Sequence, residues 1–350
     1  MPQQPINNIG ILMAHDSYYL LKKEDVQGFL DALSSKMSVY APVKSEGQFN
    51  FSKLGKKQKI GLEGYINTEF PPKGLLMPEG ETLVKYEGST ICEVFSSEKR
   101  AIFGIRPCDV HAILVLDRVM LGHGDIEEHY EARRKNTLIL AMNCTEAGEN
   151  CFCGSLGTDT LTEGFDLLFT DEGSHYHVEV GSAEGGRLIK ASANLFSATS
   201  RKAKRPKLVF KKHIQTEGLE DAMKRAAKSS IWEKTAERCL SCGSCTAACP
   251  TCYCFSLPHH VDITKMDRGK ITREADYCML LRFSRVAGNN VFREHRADRL
   301  KQFFYHKLVY GKENEGKMHC VGCGRCITEC MAHIDITEEA AKVMRKYGKR

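Results

Sequence analysis

Two cysteine runs constrain this chain more than anything else in it. Cys239-Leu-Ser-Cys242-Gly-Ser-Cys245-Thr-Ala-Ala-Cys249-Pro250 and Cys320-Val-Gly-Cys323-Gly-Arg-Cys326-Ile-Thr-Glu-Cys330 share the C-x2-C-x2-C-x3-C spacing. In that spacing three thiolates grip three corners of a four-iron, four-sulfur cube, and the fourth cysteine reaches across to the other cube. The expected ligand sets are Cys239, Cys242, Cys245 and Cys330 for one [4Fe-4S] cluster, and Cys320, Cys323, Cys326 and Cys249 for a second. Zinc sites usually use pairs of cysteines and rarely three in such a run, so a zinc-binding scaffold is the distant alternative. Met331 stands where a proline would follow the last cysteine, which relaxes the turn but leaves the thiolates in place.

At 350 residues the chain has room for two domains, each with its own core. Residues 1–10 are polar and carry no basic, apolar, small-residue export pattern. No uninterrupted apolar run is long enough to span a bilayer. The 16 cysteines therefore read as metal ligands rather than disulfides, and a cytoplasmic protein without direct membrane insertion is expected. The formal net charge of +6 counts every thiol as neutral, so a cluster-loaded chain is less basic. Part of the excess lies in residues 201–207 and 211–213, which lack interleaved aromatics for base stacking. A solvated linker or partner-facing rim is the reading adopted, and no nucleic acid is expected. A nucleic-acid-binding protein with a structural cluster is the other alternative, and steeply salt-dependent binding would reveal it.

Residues 22–37 read as an amphipathic helix with Val26, Phe29, Leu30, Leu33 and Met37 on one face. Residues 39–43 read as a short strand, placed at a sheet edge by Pro42. Residues 101–105 suit a buried strand, Asp109 a helix cap, and residues 137–142 a second buried strand. Strand, helix, strand makes a parallel βαβ unit whose strand ends share one edge, the usual ligand edge of an α/β sheet. Cys108 and Cys144 would meet there, with Cys151 and Cys153 following in the next loop. We expect these four to hold a third [4Fe-4S] cluster, with a helix N-terminus pointing towards it. The alternative is that some are ordinary buried thiols.

Arg106 and His111 flank Cys108, either to tune or protonate that site or as plain surface polarity. Residues 166–170 and 175–180 read as a hairpin, with His175 and His177 facing solvent rather than a metal. The glycine-rich residues 181–186 lack a following Lys-Ser/Thr, and no dinucleotide fingerprint occurs anywhere. No flavin or nicotinamide is thus expected in this chain. No constellation for substrate chemistry is readable either, so a non-catalytic electron-transfer role is expected.

Residues 219–232 read as a helix leading into the first run, and 293–310 as another, capped by Gly311. A last short helix begins at Thr337. Cys278 reads as a mid-helix packing residue, and Cys92, Cys252 and Cys254 have no assigned role beyond a conceivable ligand swap at Cys252. The expected architecture is an α/β (or α+β) domain over residues 1–215 with a short parallel βαβ unit. A helical two-[4Fe-4S] ferredoxin-like domain over residues 216–350 follows, and its helical insert, 255–318, insulates the clusters.

Residues 40–44, Pro107-Cys108-Asp109, Asn150-Cys151-Phe152-Cys153, Cys239 through Cys254 with its Cys-Pro-Thr-Cys-Tyr-Cys tail, residues 287–293 and the second cysteine run, Cys320 through Cys330, resemble one family. It comprises the iron–sulfur (beta) subunits of cytoplasmic NAD(P)-linked nickel–iron sulfhydrogenases and the A subunits of anaerobic sulfite reductases. Gly288-Asn289-Asn290 departs from the Gly-Gly-His often found there, so that loop's role does not carry over. The resemblance implies a subunit that passes electrons between a flavin/NAD(P)-binding subunit and a catalytic subunit of nickel–iron or siroheme type. The neighbourhood of Tyr40 and Pro71-Pro72 leans towards the hydrogenase.

Overall fold

The computed structural model describes residues 17–55, 58–122, 124 and 126–348; residues 1–10, where the sequence shows no export pattern, lie outside them. Strand Arg100–Ile105 is buried along its whole length, helix Pro107–Leu121 follows it, and Thr137–Met142 returns parallel to it. This is the βαβ unit that the apolar runs call for. It sits within a mixed eight-stranded sheet, ordered Phe196–Thr199, Tyr18–Lys22, His175–Val180, Leu167–Asp171, Thr137–Met142, Arg100–Ile105, Ser38–Ser45, Gln48–Lys53. The pairings within the block Ser38–Ser45 through Leu167–Asp171 are parallel and the others antiparallel.

Helix Val26–Ser34 buries Val26, Phe29, Leu30 and Leu33 in the core on one face of this sheet. The apolar residues of Pro107–Leu121 fill the core on the other. Two expectations fail here. Pro42 is not on an edge strand, because Gln48–Lys53 lies outside it; the ladder to Arg100–Ile105 simply stops at Tyr40, two residues before the proline. His177 does not face solvent but is fully buried, its Nε2 within 2.6 Å of the Arg201 carbonyl, whereas His175 is half-buried beside Glu172.

Beyond residue 215 the chain is less helical than expected. Helices Leu219–Arg225, Ile231–Arg238, Arg296–Tyr305 and Ile336–Tyr347 surround a core built on Trp232, Phe303, Phe304 and Tyr305. The insert 255–318, however, begins with strands Phe255–Ser256, His259–Asp262 and Lys265–Ala275. The last of these pairs with Glu81–Glu87, so the insert completes a sheet begun in the first half of the chain. Its polar sequence hides it, because its two buried residues are the polar Thr272 and Arg273 and the rest are partly or fully exposed, so no apolar period appears. Arg273 ties the join, pairing with the buried Glu81, which also binds Arg133 at 2.6 Å.

Gly311 is not a cap. The helix runs on through a π-helical turn, His306–Tyr310, into Gly311–Glu315, and Gly316 takes the left-handed cap at φ +72°. Gly311 is glycine because a Cβ there would strike the His319 ring.

Candidate metal centres

Both cysteine runs wrap the same way. A glycine follows the second cysteine of each in the left-handed conformation, Gly243 at φ +83° and Gly324 at φ +78°, and starts a one-turn helix carrying the third cysteine. The two one-turn helices, Ser244–Ala247 and Arg325–Thr328, pack on each other. Left-handed glycine costs little there, whereas a residue with a Cβ would be strained.

Cys239, Cys242, Cys245 and Cys330 line one apolar cavity together with Cys326 of the second expected set, and Leu300, Phe303 and Phe304 of the insert close it. Burial, followed by Cys239, Cys330, Cys242 and Cys249, pushes the Cys245 thiol up. Burial, then Cys320, Cys323, Cys249 and Cys245, does the same to Cys326. The thiols of the two runs therefore lie close together, with Cys249 and Cys326 next to Cys245. Backbone amides already face sulfur: Ser241 N lies 3.4 Å from Cys239 Sγ and Ile334 N 3.3 Å from Cys330 Sγ. Amide-to-sulfur bonds and apolar burial are what an iron–sulfur cube needs from its protein shell, so these residues fit that group.

The N-terminal four cysteines also come together. Cys108 sits in the first turn of Pro107–Leu121, Cys144 just past strand Thr137–Met142, and Cys151 and Cys153 at the 3-10 turn Cys153–Leu156. Burial raises the Cys153 thiol, with Cys151, Cys144, Asp159 and Cys323 adding to it. Cys108 is raised by burial, then by Asp109, Cys153 and Cys323. Cys323 of the second run is thus a direct neighbour, and the Cys151 thiol points at its carbonyl at 3.6 Å.

Asp109 does not cap its helix; Arg106 holds the cap position without a side-chain capping bond. Its carboxylate instead takes a two-pronged ion pair from Arg325, at 2.6 and 2.8 Å, and Arg325 also binds Thr68. Arg106 is buried rather than surface-exposed and donates to the carbonyls of Ile66, Asn143 and Tyr65, lying 4.2 Å over the Tyr65 ring. His111 meets the Thr160 carbonyl at 2.8 Å.

The halves also meet at Gly322, whose carbonyl accepts from Phe152 N at 2.8 Å. A Cβ on Gly322 would lie 2.6 Å from Cys153 Cα, at φ +65°. Gly322→Ala is therefore expected to cost about 2 kcal/mol or more through left-handed strain and overpacking. An unchanged denaturation midpoint would refute that close approach.

Of the cysteines without an assigned role, Cys278 is buried in a turn, not a helix, and its thiol meets that of Cys254. Cys252 meets Cys249, and Cys92 is exposed on strand Thr90–Glu93. The sequence reading missed Arg325, Lys73 and Lys307. Nothing in a linear pattern pairs Arg325 with Asp109, although an arginine inside a cysteine run is itself a signal.

Paired thiol sets behind glycine-started turns define an iron–sulfur protein, and residues 238–334 match a family described as a 4Fe-4S dicluster domain. The chain is 33% identical over 327 residues to sulfhydrogenase 2 subunit beta of Pyrococcus furiosus, covering 91% of this chain and 96% of that one. It belongs to that family, the iron–sulfur beta subunits of sulfhydrogenase. Among the described residues no helix is long and apolar enough to cross a membrane.

Proposed function

We propose that this chain is the electron relay of a multisubunit hydrogenase, passing single electrons between a flavin/NAD(P)-binding subunit and a nickel–iron catalytic subunit. Three cysteine sets serve it: Cys108, Cys144, Cys151 and Cys153; Cys249, Cys320, Cys323 and Cys326; and Cys239, Cys242, Cys245 and Cys330. Each [4Fe-4S] cluster, when bound, supplies reversible one-electron chemistry. The chain's own residues hold the sulfur positions, exclude water and set the local field.

The observation that carries this reading is adjacency. Cys323 stands against Cys108 and Cys153 on one side, and Cys245 acts on Cys326 on the other, so the sets follow one another in a row. The row ends near solvent at Cys242, which is exposed, beside the exposed Leu240 and Met331. At that end the Ser244 hydroxyl holds the Cys242 thiol below the ordinary range. The relative's designation as a beta subunit supports an assembly with other subunits. Residues 1–215 then form the domain for the first set and 216–350 the dicluster domain, with Lys265–Ala275 returning to the first.

Anaerobically purified complex should contain about twelve irons in this chain from three cubes. It should be brown, give low-temperature paramagnetic signals with dithionite, and bring down a flavoprotein and a nickel–iron subunit. Colourless protein without acid-labile sulfide, or a siroheme partner in place of nickel–iron, would overturn the corresponding half of the proposal.

A further inference from the structure

Lys307 is fully buried, carried into the C-terminal core on the π-helical turn His306–Tyr310. A π-helical turn is rare and often marks a functional position. The Lys307 Nζ donates to Thr251 Oγ1 at 2.9 Å, and that hydroxyl lies 3.2 Å from Cys249 Sγ. The groups acting most strongly on it are the thiols of Cys249, Cys252 and Cys278. Among the described residues no ion pair of Lys307 with a carboxylate is seen, in contrast to the buried Arg325 and Arg273. The buried Arg106 also lacks one but is satisfied by three backbone carbonyls, whereas Lys307 donates to a hydroxyl that leads to a thiol. His306 and His319 nearby are held neutral, down to about 3 and about 4, mainly by burial and then by the lysine itself.

An ammonium taken out of water needs a compensating anion. Among the described residues the charge-bearing groups that act most strongly on Lys307 are the thiols of Cys249, Cys252 and Cys278, while the nearby Glu315 pairs with His319, so the candidate anion is what those thiols would hold. We propose that Lys307 is the built-in counter-charge of the cluster assigned to Cys249, Cys320, Cys323 and Cys326, and that it raises that cluster's reduction potential. The sign follows from charge: reduction adds negative charge, and a fixed cation in a low-dielectric site favours the more negative state. Lys307 is thus a positioning residue for the middle of the relay and touches no substrate. Lys73, donating to the Cys252 carbonyl at 3.0 Å from the other half of the chain, is a second cation near Cys252 and Cys249, but burial pulls its pKa down and weakens its charge.

This inference rests on the cysteine assignment proposed above, and one experiment separates the two. Redox titrations followed by paramagnetic resonance compare the wild-type complex with Lys307→Met and Lys307→Arg. Lys307→Met should keep its iron and all cluster signals while one midpoint falls by a tenfold change in equilibrium constant or more, about 59 mV for one electron. Lys307→Arg, which restores the charge, should return that midpoint most of the way. If methionine impairs assembly, Lys307→Gln, which keeps a donor to Thr251 without the charge, gives the same reading. Full iron content with every midpoint unmoved in the neutral variant overturns the proposal and leaves a Cys252 thiolate as the lysine's partner. Absence of cubane signals from the wild type would instead defeat the cysteine assignment.

Discussion

Replacing Cys151 and Cys153 together with serine should lower bound iron from about twelve atoms per chain to about eight. The two ferredoxin-type signals should persist. The reason is where these residues sit. Both side chains are buried against Cys108, Cys323 and Val321, so their loss empties the N-terminal set. The remaining eight cysteines keep their own glycine-started turns and apolar cavity. Because Cys323, a member of the second set, adjoins the N-terminal one, a modest shift in that set's surviving signal is also expected, whereas the signal assigned to Cys239, Cys242, Cys245 and Cys330 should be untouched. An iron count that does not change would defeat the third site.

Asp109→Asn should destabilise the folded chain by about 3–5 kcal/mol, because it leaves the guanidinium of Arg325 buried and unpaired. Asp109 and Arg325 are both almost wholly buried, at 0% and 2% exposure, so solvent cannot substitute for the lost partner. Burial lowers the Arg325 pKa, but the Asp109 charge and hydrogen bonds outweigh it and hold the guanidinium well above its ordinary range. The pair joins the helix carrying Cys108 to the turn between Cys323 and Cys326, so its loss should loosen two cysteine sets at once. Denaturant midpoints under anaerobic conditions measure the effect. The double variant Asp109→Leu with Arg325→Met should recover much of the stability, and strict additivity would argue against direct coupling.

Much of the fold was legible where burial imposes a period. Residues 101–105 and 137–142 are continuous apolar runs because helices or loops cover both faces, and they became adjacent parallel strands. Val26, Phe29, Leu30 and Leu33 repeat at helical spacing because one face of that helix packs on the sheet. Legibility failed where local pattern and final surroundings part company. Lys265–Ala275 looks polar because its sheet is thin, and the partner strand Glu81–Glu87 lies far away in sequence. Gly311 looks like a stop signal, yet a distant ring, His319, is what demands a residue without a side chain. The interval 219–232 has the periodicity of one helix, but the chain turns at residues 226–230, where Trp232 Nε1 folds back to the Ala226 carbonyl at 2.8 Å.

Sequence alone determined the two dicluster runs, since ligands three residues apart are positioned by covalent geometry and one short turn, whatever surrounds them. It also determined that Cys108 and Cys144 would share an edge, because right-handed crossovers leave strands so ordered no other choice. Only the tertiary structure decided that Cys323 lies against Cys108 and Cys153, that Arg325 closes on Asp109, and that the buried Lys307 donates to Thr251 beside Cys249. Those contacts join residues far apart along the chain, and packing, not any local period, sets how they meet.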